Sequence, residues 1–284
     1  MTGNGVLLVS CPDRAGIVAA VATFVADHGG NVVDLQQHTD HTDGAFFQRV
    51  ELELDGVDLA REEIGPAFAP VAERFGMRWS LRFTDERARV AVLASKEAHC
   101  LHDLLNRWRT GELAVEVPVI VSNHPDHAAV AEWYGVPYAH HPIVDGDKAA
   151  QEAAVAATLA EHGVDLIVLA RYMQVLSPDL CAAWPERIIN IHHSFLPAFQ
   201  GARPYHQAHD RGVKVIGVTA HYATAELDDG PIIDQDVLRV SHRDDVDDLR
   251  RKGRDLEVQV LARAVRAHVG HRVLVYGRRT VVFD

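Results

Sequence analysis

The sequence predicts an α/β chain in two parts: a βαββαβ unit of α+β type over residues 1–84, then a larger, mostly parallel, doubly wound sheet over residues 85–284. Three observations predict it. Residues 4–83 pass through four strand-period and two helix-period stretches in the order βαββαβ. The polar run Thr84-Asp85-Glu86-Arg87 then interrupts the apolar patterning and marks a boundary. From Val90 onward, short apolar strands alternate with helical stretches, the pattern of parallel strands joined by crossover helices. A chain of 284 residues is long enough for two cores.

In the first part, Val6-Leu7-Leu8-Val9 is an apolar strand. Asp13 can cap a helix whose apolar positions Ile17, Val18, Val21, Phe24 and Val25 follow the helical period, and Gly29-Gly30 ends it. A second strand over residues 32–35 and the hairpin signal Asp43-Gly44 follow. Phe46, Val50, Leu52 and Leu54 then alternate with Arg49, Glu51 and Glu53 in a half-buried strand. Residues 57–75 read as a second helix, and Met77, Trp79, Leu81 and Phe83 as the apolar side of a fourth strand.

In the second part, strands are predicted over 90–94, 119–122, 136–139, 165–170, 188–192 and 213–222, with an extended segment over 232–240. Helices are predicted near 99–108, 127–134, 148–162 and 244–268. Pro137 lacks a backbone donor, which puts the third of these strands at a sheet edge. Ser177-Pro178 is a helix cap followed by proline at the first helical position. A hairpin over 272–276 and 280–283 turns at Gly277. No internal repeat or low-complexity tract is present.

Composition narrows the function. Hydrophobic residues make up 48% of the chain without any run long enough to span a bilayer, so a soluble, cytoplasmic protein with no membrane partner is expected. The N-terminus enters a strand pattern at once, with no basic stretch before a long apolar one, so no secretory leader is expected. Cys11, Cys100 and Cys181 are odd in number and far apart, which suits a reducing compartment. A formal charge of −12 opposes nucleic-acid binding, which needs a basic face. A local basic pocket for a small anion is still compatible with it. Among the 18 histidines, His99-Cys100-Leu101-His102 spaces potential ligands one helical turn apart and His192-His193 forms another pair. Neither spacing comes with a fourth ligand, so no metal is expected.

The chemistry concentrates in Asn190-Ile191-His192-His193-Ser194-Phe195-Leu196-Pro197-Ala198-Phe199-Gln200-Gly201. Side chains two apart on a strand share a face, so Asn190 and His192 look into the same space where the strand gives way to a loop. A second stretch, His221-Tyr222-Ala223-Thr224-Ala225-Glu226-Leu227-Asp228-Asp229-Gly230-Pro231, supplies a carboxylate on a turn. Together these groups suffice for acyl chemistry. Imidazole moves the proton, carboxylate orients it and stabilises its charge, and the amide N–H binds an oxyanion. Ser194 stands close to His192, but without a Gly-x-Ser-x-Gly elbow it is not read as a nucleophile.

Two resemblances extend this reading. The βαββαβ order, with Cys11-Pro12-Asp13-Arg14-Ala15-Gly16-Ile17 at the first turn, resembles the ACT domain. That resemblance implies a regulatory or assembly module with an amino-acid effector, and a homo-oligomer built through paired sheets. Pro12, Asp13 and Gly16 can equally be a turn and a helix cap alone. Asn190-Ile191-His192, the loop Leu196-Pro197-Ala198-Phe199-Gln200-Gly201 and Glu226-Leu227-Asp228 with Gly230-Pro231 resemble the folate-dependent formyltransferase family, over residues 88–284. This implies a Rossmann-like catalytic domain with Asn190, His192 and Asp228 in the catalytic positions and His221 and Ser194 beside them. It also implies that the stretch Arg171, Tyr172, Met173, Gln174, Val175 and Leu176 holds the pterin partly through main-chain groups, with Thr224, Ala225 and Glu226 closing the opposite wall. Arg171 and Arg203 are candidates for the glutamate tail. Asp229 stands where related transferases often have glycine.

Transferases acting on glycinamide ribonucleotide carry a glycine-rich loop after the first strand, whose bare N–H groups cradle the phosphate. The corresponding turn here, Ala94-Ser95-Lys96-Glu97-Ala98-His99-Cys100-Leu101-His102, has no glycine, and Glu97 would repel a phosphate. Without a bound amine, the remaining nucleophile is water. The resemblance therefore implies the hydrolytic branch of the family, which converts 10-formyltetrahydrofolate to formate and tetrahydrofolate for one-carbon and purine metabolism with no permanently bound cofactor. Two alternatives stay open: formyl transfer to an amine acceptor, and a non-catalytic folate or amino-acid sensor. Whether His192 or Asp228 takes the first proton is also open, since the two would titrate as a coupled pair.

Overall fold

A computed structural model of the chain describes residues 3–198 and 204–284. By internal contacts it divides into two units, one of Met1–Arg87 with Gly270–Tyr276 and Val281–Asp284, the other of Ala88–Val269 with Gly277–Thr280. Among the described residues no helix is long and apolar enough to cross a membrane.

The first unit runs β1 (Asn4–Pro12), α1 (Ile17–Asp27), β2 (Asn31–Asp40), β3 (Ala45–Glu53), α2 (Arg61–Phe75) and β4 (Arg78–Phe83). Its strands form an antiparallel sheet in the order β2-β3-β1-β4. Ile17, Val21 and Val25 of α1 and Ile64, Phe68 and Phe75 of α2 recur at helical spacing and bury against Leu7, Val9, Val50 and Leu52 of one sheet face. Two local expectations change. The residue before α1 is Gly16, in the left-handed region at φ 94°, and Asp13 instead donates its backbone N–H to Gly44 O at 2.8 Å. Asp13 is therefore tied to the β2–β3 turn and does not cap the helix. The second helix, expected from residue 57, begins at Arg61, where the Glu63 carboxylate accepts the Ala60 N–H at 2.9 Å.

The terminal hairpin, β12 (Val273–Tyr276) and β13 (Arg279–Val282), was included in the expected second domain over 85–284, yet most of it groups with the first unit. The reason is apolar. Phe283, Leu274 and Tyr276 pack with Leu8, Ala45 and Phe47, on residues that alternate with those facing α1 and α2.

The second unit runs β5 (Val90–Ala94), α3 (His99–Arg109), β6 (Ile120–Ser122), α4 (Ala128–Tyr134), β7 (Tyr138–His140), α5 (Lys148–Glu161), β8 (Leu166–Leu169), α6 (Pro178–Ala183), β9 (Ile188–His192), α7 (Pro204–Asp210), β10 (Val215–Tyr222), β11 (Ile232–Arg239) and α8 (Val246–Val269). The sheet order is β11-β10-β9-β8-β5-β6-β7. It is parallel from β9 to β7, while β10 and β11 are antiparallel additions beyond β9. The strand following Pro137 is the edge strand β7. The central strands β5 and β8 are apolar and buried throughout, as strands covered on both faces must be, whereas the edge strand β7 is half-exposed. After β5 the chain winds outward through β6 and β7, then returns to the other side of β5 as β8. That reversal opens a crevice at the carboxyl ends of β5 and β8, next to which β9 ends.

Candidate active site

Strand β9 supplies the first two groups. Ile188, Ile189 and Ile191 are buried and fix the strand, while Asn190 and His192 line one cleft. The antiparallel register sets His221 of β10 directly across from Asn190, and Asn190 Nδ2 lies 3.1 Å from His221 Nε2. On its other side His221 Nδ1 is 2.9 Å from Tyr222 O. A carbonyl only accepts, so Nδ1 carries the proton and Nε2 accepts from the Asn190 amide. Burial lowers the His221 pKa, which keeps the ring neutral and in that tautomer. The second N–H of Asn190 is thereby left to aim at the cleft.

Asp228 arrives on the loop between β10 and β11. The loop is pinched at its base, where Tyr222 donates its N–H to Pro231 O at 2.9 Å. Gly230 sits against the same point: a Cβ there would fall 1.7 Å from Tyr222 O. Asp228 itself is in the left-handed region at φ 55°, a conformation that costs a non-glycine residue about 1 kcal/mol. In that pose its Oδ1 lies 3.2 Å from His192 Nδ1 and 3.9 Å from His221 Nε2. Burial pushes the Asp228 carboxyl up, but the hydrogen bond and charge of His192 outweigh it and the net shift is downward. Asp228 is thus a carboxylate at neutral pH. The adjacent Asp229, in the position where related transferases often have glycine, pairs with Arg278.

Ser194 completes the surroundings of His192. Its Oγ is 2.7 Å from His192 Nε2 and donates to Ala198 O at 3.0 Å. The turn carrying Ser194 is held by Thr219, whose hydroxyl donates to Ser194 O at 2.9 Å and accepts from the Leu196 N–H at 3.0 Å. Gln235 donates to Thr219 Oγ1 at 2.9 Å and to Leu196 O at 3.0 Å. Thr219 and Gln235 were not legible as site residues, because their part depends on which strands adjoin β9. Phe199, Gln200 and Gly201 of the motif, and Arg203, lie outside the described residues.

The cleft in front of these groups has a volume of about 380 Å³. One wall is the segment after β8, from Arg171 to Leu176, and the other includes Thr224, Ala225, Glu226 and Leu227. Met173, Val175 and Leu227 each expose more than half of their surface there, an apolar lining that suits a flat aromatic ligand. The first wall is fixed by its backbone: Met173 N–H donates to Ser95 Oγ at 3.0 Å, and Ser95 N–H to Arg171 O at 3.2 Å. Tyr172 is different in kind. It is buried, and its hydroxyl accepts from Gln151 Nε2 at 2.6 Å within the core. Arg171 lines the cleft, and its Nε lies 3.4 Å from buried Glu257. His193, beside the cleft, has its pKa lowered to about 4 by burial and by the nearby Arg171 charge.

The candidate ligand pairs resolve differently from their sequence spacing. His99, Cys100 and Glu257 bring ligand atoms within 4.8 Å of one another, whereas His102 is exposed. His99 Nε2 donates to the Glu257 carboxylate at 2.7 Å, and burial pushes the Cys100 thiol well up, away from the thiolate a metal would need.

A buried imidazole with a half-buried carboxamide and carboxylate, at the carboxyl end of a doubly wound sheet and facing an apolar cleft, is the arrangement of an α/β enzyme of acyl-group chemistry. Comparison with known proteins makes the assignment specific. The family model described as formyl transferase matches residues 88–265, and the ACT domain model matches residues 5–65. A formyltetrahydrofolate deformylase from Synechocystis sp. is 56% identical, over 98% of this chain and 97% of that protein. One from Bacillus subtilis is 48% identical, over 99% and 94%. The crystal structure of a formyltetrahydrofolate deformylase from Pseudomonas syringae pv. tomato superposes with a TM-score of 0.97 at 48% identity, covering 99% of this chain and 94% of its own. The chain belongs to the formyl transferase family and, within it, to the formyltetrahydrofolate deformylases.

Proposed function

We propose that the cleft hydrolyses 10-formyltetrahydrofolate to formate and tetrahydrofolate, with Asn190, His192 and Asp228 as the reacting groups. The observation that carries this reading is that all three side chains line one cleft, His192 lying 3.2 Å from Asp228 and Asn190 3.1 Å from His221, which is itself 3.9 Å from the same carboxylate. The pterin lies between the Arg171–Leu176 segment and the 224–227 wall, so that the formyl group reaches Asn190. Water attacks the formyl carbon, and the His192–Asp228 pair takes its proton as one coupled unit. His192 has Ser194 at its other nitrogen, so the ring is held from both sides while its charge changes. The Asn190 amide donates to the oxygen of the tetrahedral adduct; a donor of this kind is worth about 3 kcal/mol of barrier. Protonation of N10 from the same pair then breaks the C–N bond.

The first unit is an ACT-type module, for which we propose regulation by an amino acid or assembly into a homo-oligomer. Gly16 just before α1, Ala20 and Phe24 of α1, and Val71 and Arg74 of α2 line a groove of about 450 Å³ with room for such an effector. The three cysteines are free and buried, in keeping with a reducing cytoplasm.

The decisive experiment supplies 10-formyltetrahydrofolate alone and measures formate. Stoichiometric formate and tetrahydrofolate are expected. Folate binding without turnover, or turnover that requires an added amine, would reject hydrolysis.

A further inference from the structure

The reacting groups have a second side. Arg171 and His193, which line the cleft, also line a separate cavity of about 220 Å³ whose other walls include Glu97, Tyr205, Arg254 and Glu257. The His192 and His193 rings lie 5.3 Å apart between centroids, and His193 and Tyr205 5.8 Å, so this cavity adjoins the reacting imidazole through one intervening ring. With a folate in the cleft, a nucleophile larger than water needs another approach, and this is where polar space adjoins the site.

Two features that are unfavourable in themselves converge on that partition. Arg171 has φ 63°, in the left-handed region where glycine is the unstrained choice, yet a long cationic side chain stands there. Gly253 lies inside helix α8, where glycine weakens a helix, and a Cβ in its place would fall 1.9 Å from Tyr205 Oη. The glycine lets Tyr205 reach Glu257 Oε1, to which it donates at 2.9 Å. Glu257 is 1% exposed, accepts from His99 Nε2 at 2.7 Å and forms an ion pair with Arg171, whose buried Nε lies 3.4 Å away without a hydrogen bond. Both departures from local preference thus serve one buried cluster. The outer cations are matched as well: Arg254 pairs with Glu97 at 2.8 Å and Arg250 with Asp247 at 2.8 Å. Each guanidinium on this wall has a carboxylate beside it, so its charge is balanced within the protein and the wall reads as a closure and not as a receptor.

We propose that Arg171, paired with the Glu257 carboxylate that His99 and Tyr205 hold in place, is a specificity-determining residue that shuts this approach to the formyl carbon and reserves it for water. The inference rests on the hydrolytic reading above. In hydrolysis a water oxygen bonds to the formyl carbon, the C–N10 bond breaks, N10 gains a proton, and formate leaves with release of a proton. A primary amine in place of water forms a C–N bond, loses one proton and breaks the same C–N10 bond, giving a formamide and tetrahydrofolate with no change of oxidation state.

The test uses the full chain, 10-formyltetrahydrofolate and the primary amine glycinamide, and measures N-formylglycinamide against formate by mass spectrometry. This product ratio does not depend on how fast a variant turns over. Arg171→Gly removes the side chain and suits the left-handed backbone; its ratio is expected to rise at least tenfold above wild type. Glu257→Gln releases Arg171 by another route and is expected to raise the ratio in the same direction; it decides the matter if Arg171→Gly yields neither product. A folded variant that keeps the wild-type ratio overturns the inference alone. A wild-type protein that releases no formate overturns the hydrolytic reading and this inference together.

Discussion

Gly230→Ala probes the site without touching any reacting group. The added Cβ would sit 1.7 Å from Tyr222 O and 2.9 Å from Tyr222 C, both backbone atoms at the base of the loop that carries Asp228. Since Cβ contacts under 3.0 Å are essentially never found, the loop must move by at least 3.0 − 1.7 = 1.3 Å. Asp228 is two residues away and holds His192 at 3.2 Å, so a displacement of this size takes the pair out of hydrogen-bond range. A misplacement of about 1 Å can cost about 100-fold in rate, or about 2.7 kcal/mol of barrier. The loop lies at the sheet margin, so stability should fall by only about 1 kcal/mol, or about 2–4 °C in melting temperature. The assay is formate release in kcat/KM, paired with a thermal melt of the same preparation. Wild-type kcat/KM in the alanine variant would refute the idea that this pinch positions Asp228.

Other outcomes follow from the same geometry. Asn190→Ala should lower kcat by about 100- to 1,000-fold with KM changed little, since its amide acts on the adduct oxygen; steady-state kinetics on 10-formyltetrahydrofolate checks this. His221→Leu removes the acceptor that orients Asn190 and should lower kcat by roughly tenfold, with KM within about twofold, in the same assay. A His221 variant with altered KM and unchanged kcat would place the ring in folate binding instead. For Asp228, the folded pKa is lowered, so its contribution to stability is fully present above the unfolded value of about 3.9 and is lost as pH falls through the folded value. Asp228→Asn should therefore be less stable than wild type at neutral pH, and the two melting curves should converge in acid.

The legible part of the site is the part written within single segments. Asn190 and His192 share a face by strand alternation alone, and the Gly230-Pro231 turn announces a loop that can present Asp228. Other features were hidden because they depend on pairings between distant segments. His221 serves Asn190 only because β10 runs antiparallel to β9 in one particular register, and nothing local states that register. Ser95 reaches Met173 because β5 and β8 are neighbours across the sheet reversal, 78 positions apart in the chain. Glu257 sits on the last long helix and meets His99 from a separation of 158. In the first unit, Asp13 has the residue type of a cap, but the left-handed glycine at 16 starts the helix and leaves Asp13 bound to the hairpin. The terminal strands continue the second unit in sequence and join the first through Phe283, an apolar residue whose destination its neighbours do not specify.

The antiparallel join between β9 and β10 has a practical corollary for anyone altering this scaffold. Asn190 faces His221 and His192 faces Thr219 in the strand register, so their alignment is set by the ladder and not by the length of the turn that follows α7. Material could be inserted at the exposed turn Arg211-Gly212, clear of Tyr205 and its bond to Glu257, provided the ladder reforms in the same alignment. A slip of one position would turn Asn190's neighbour to the opposite side of the sheet and extinguish activity in a protein that still folds.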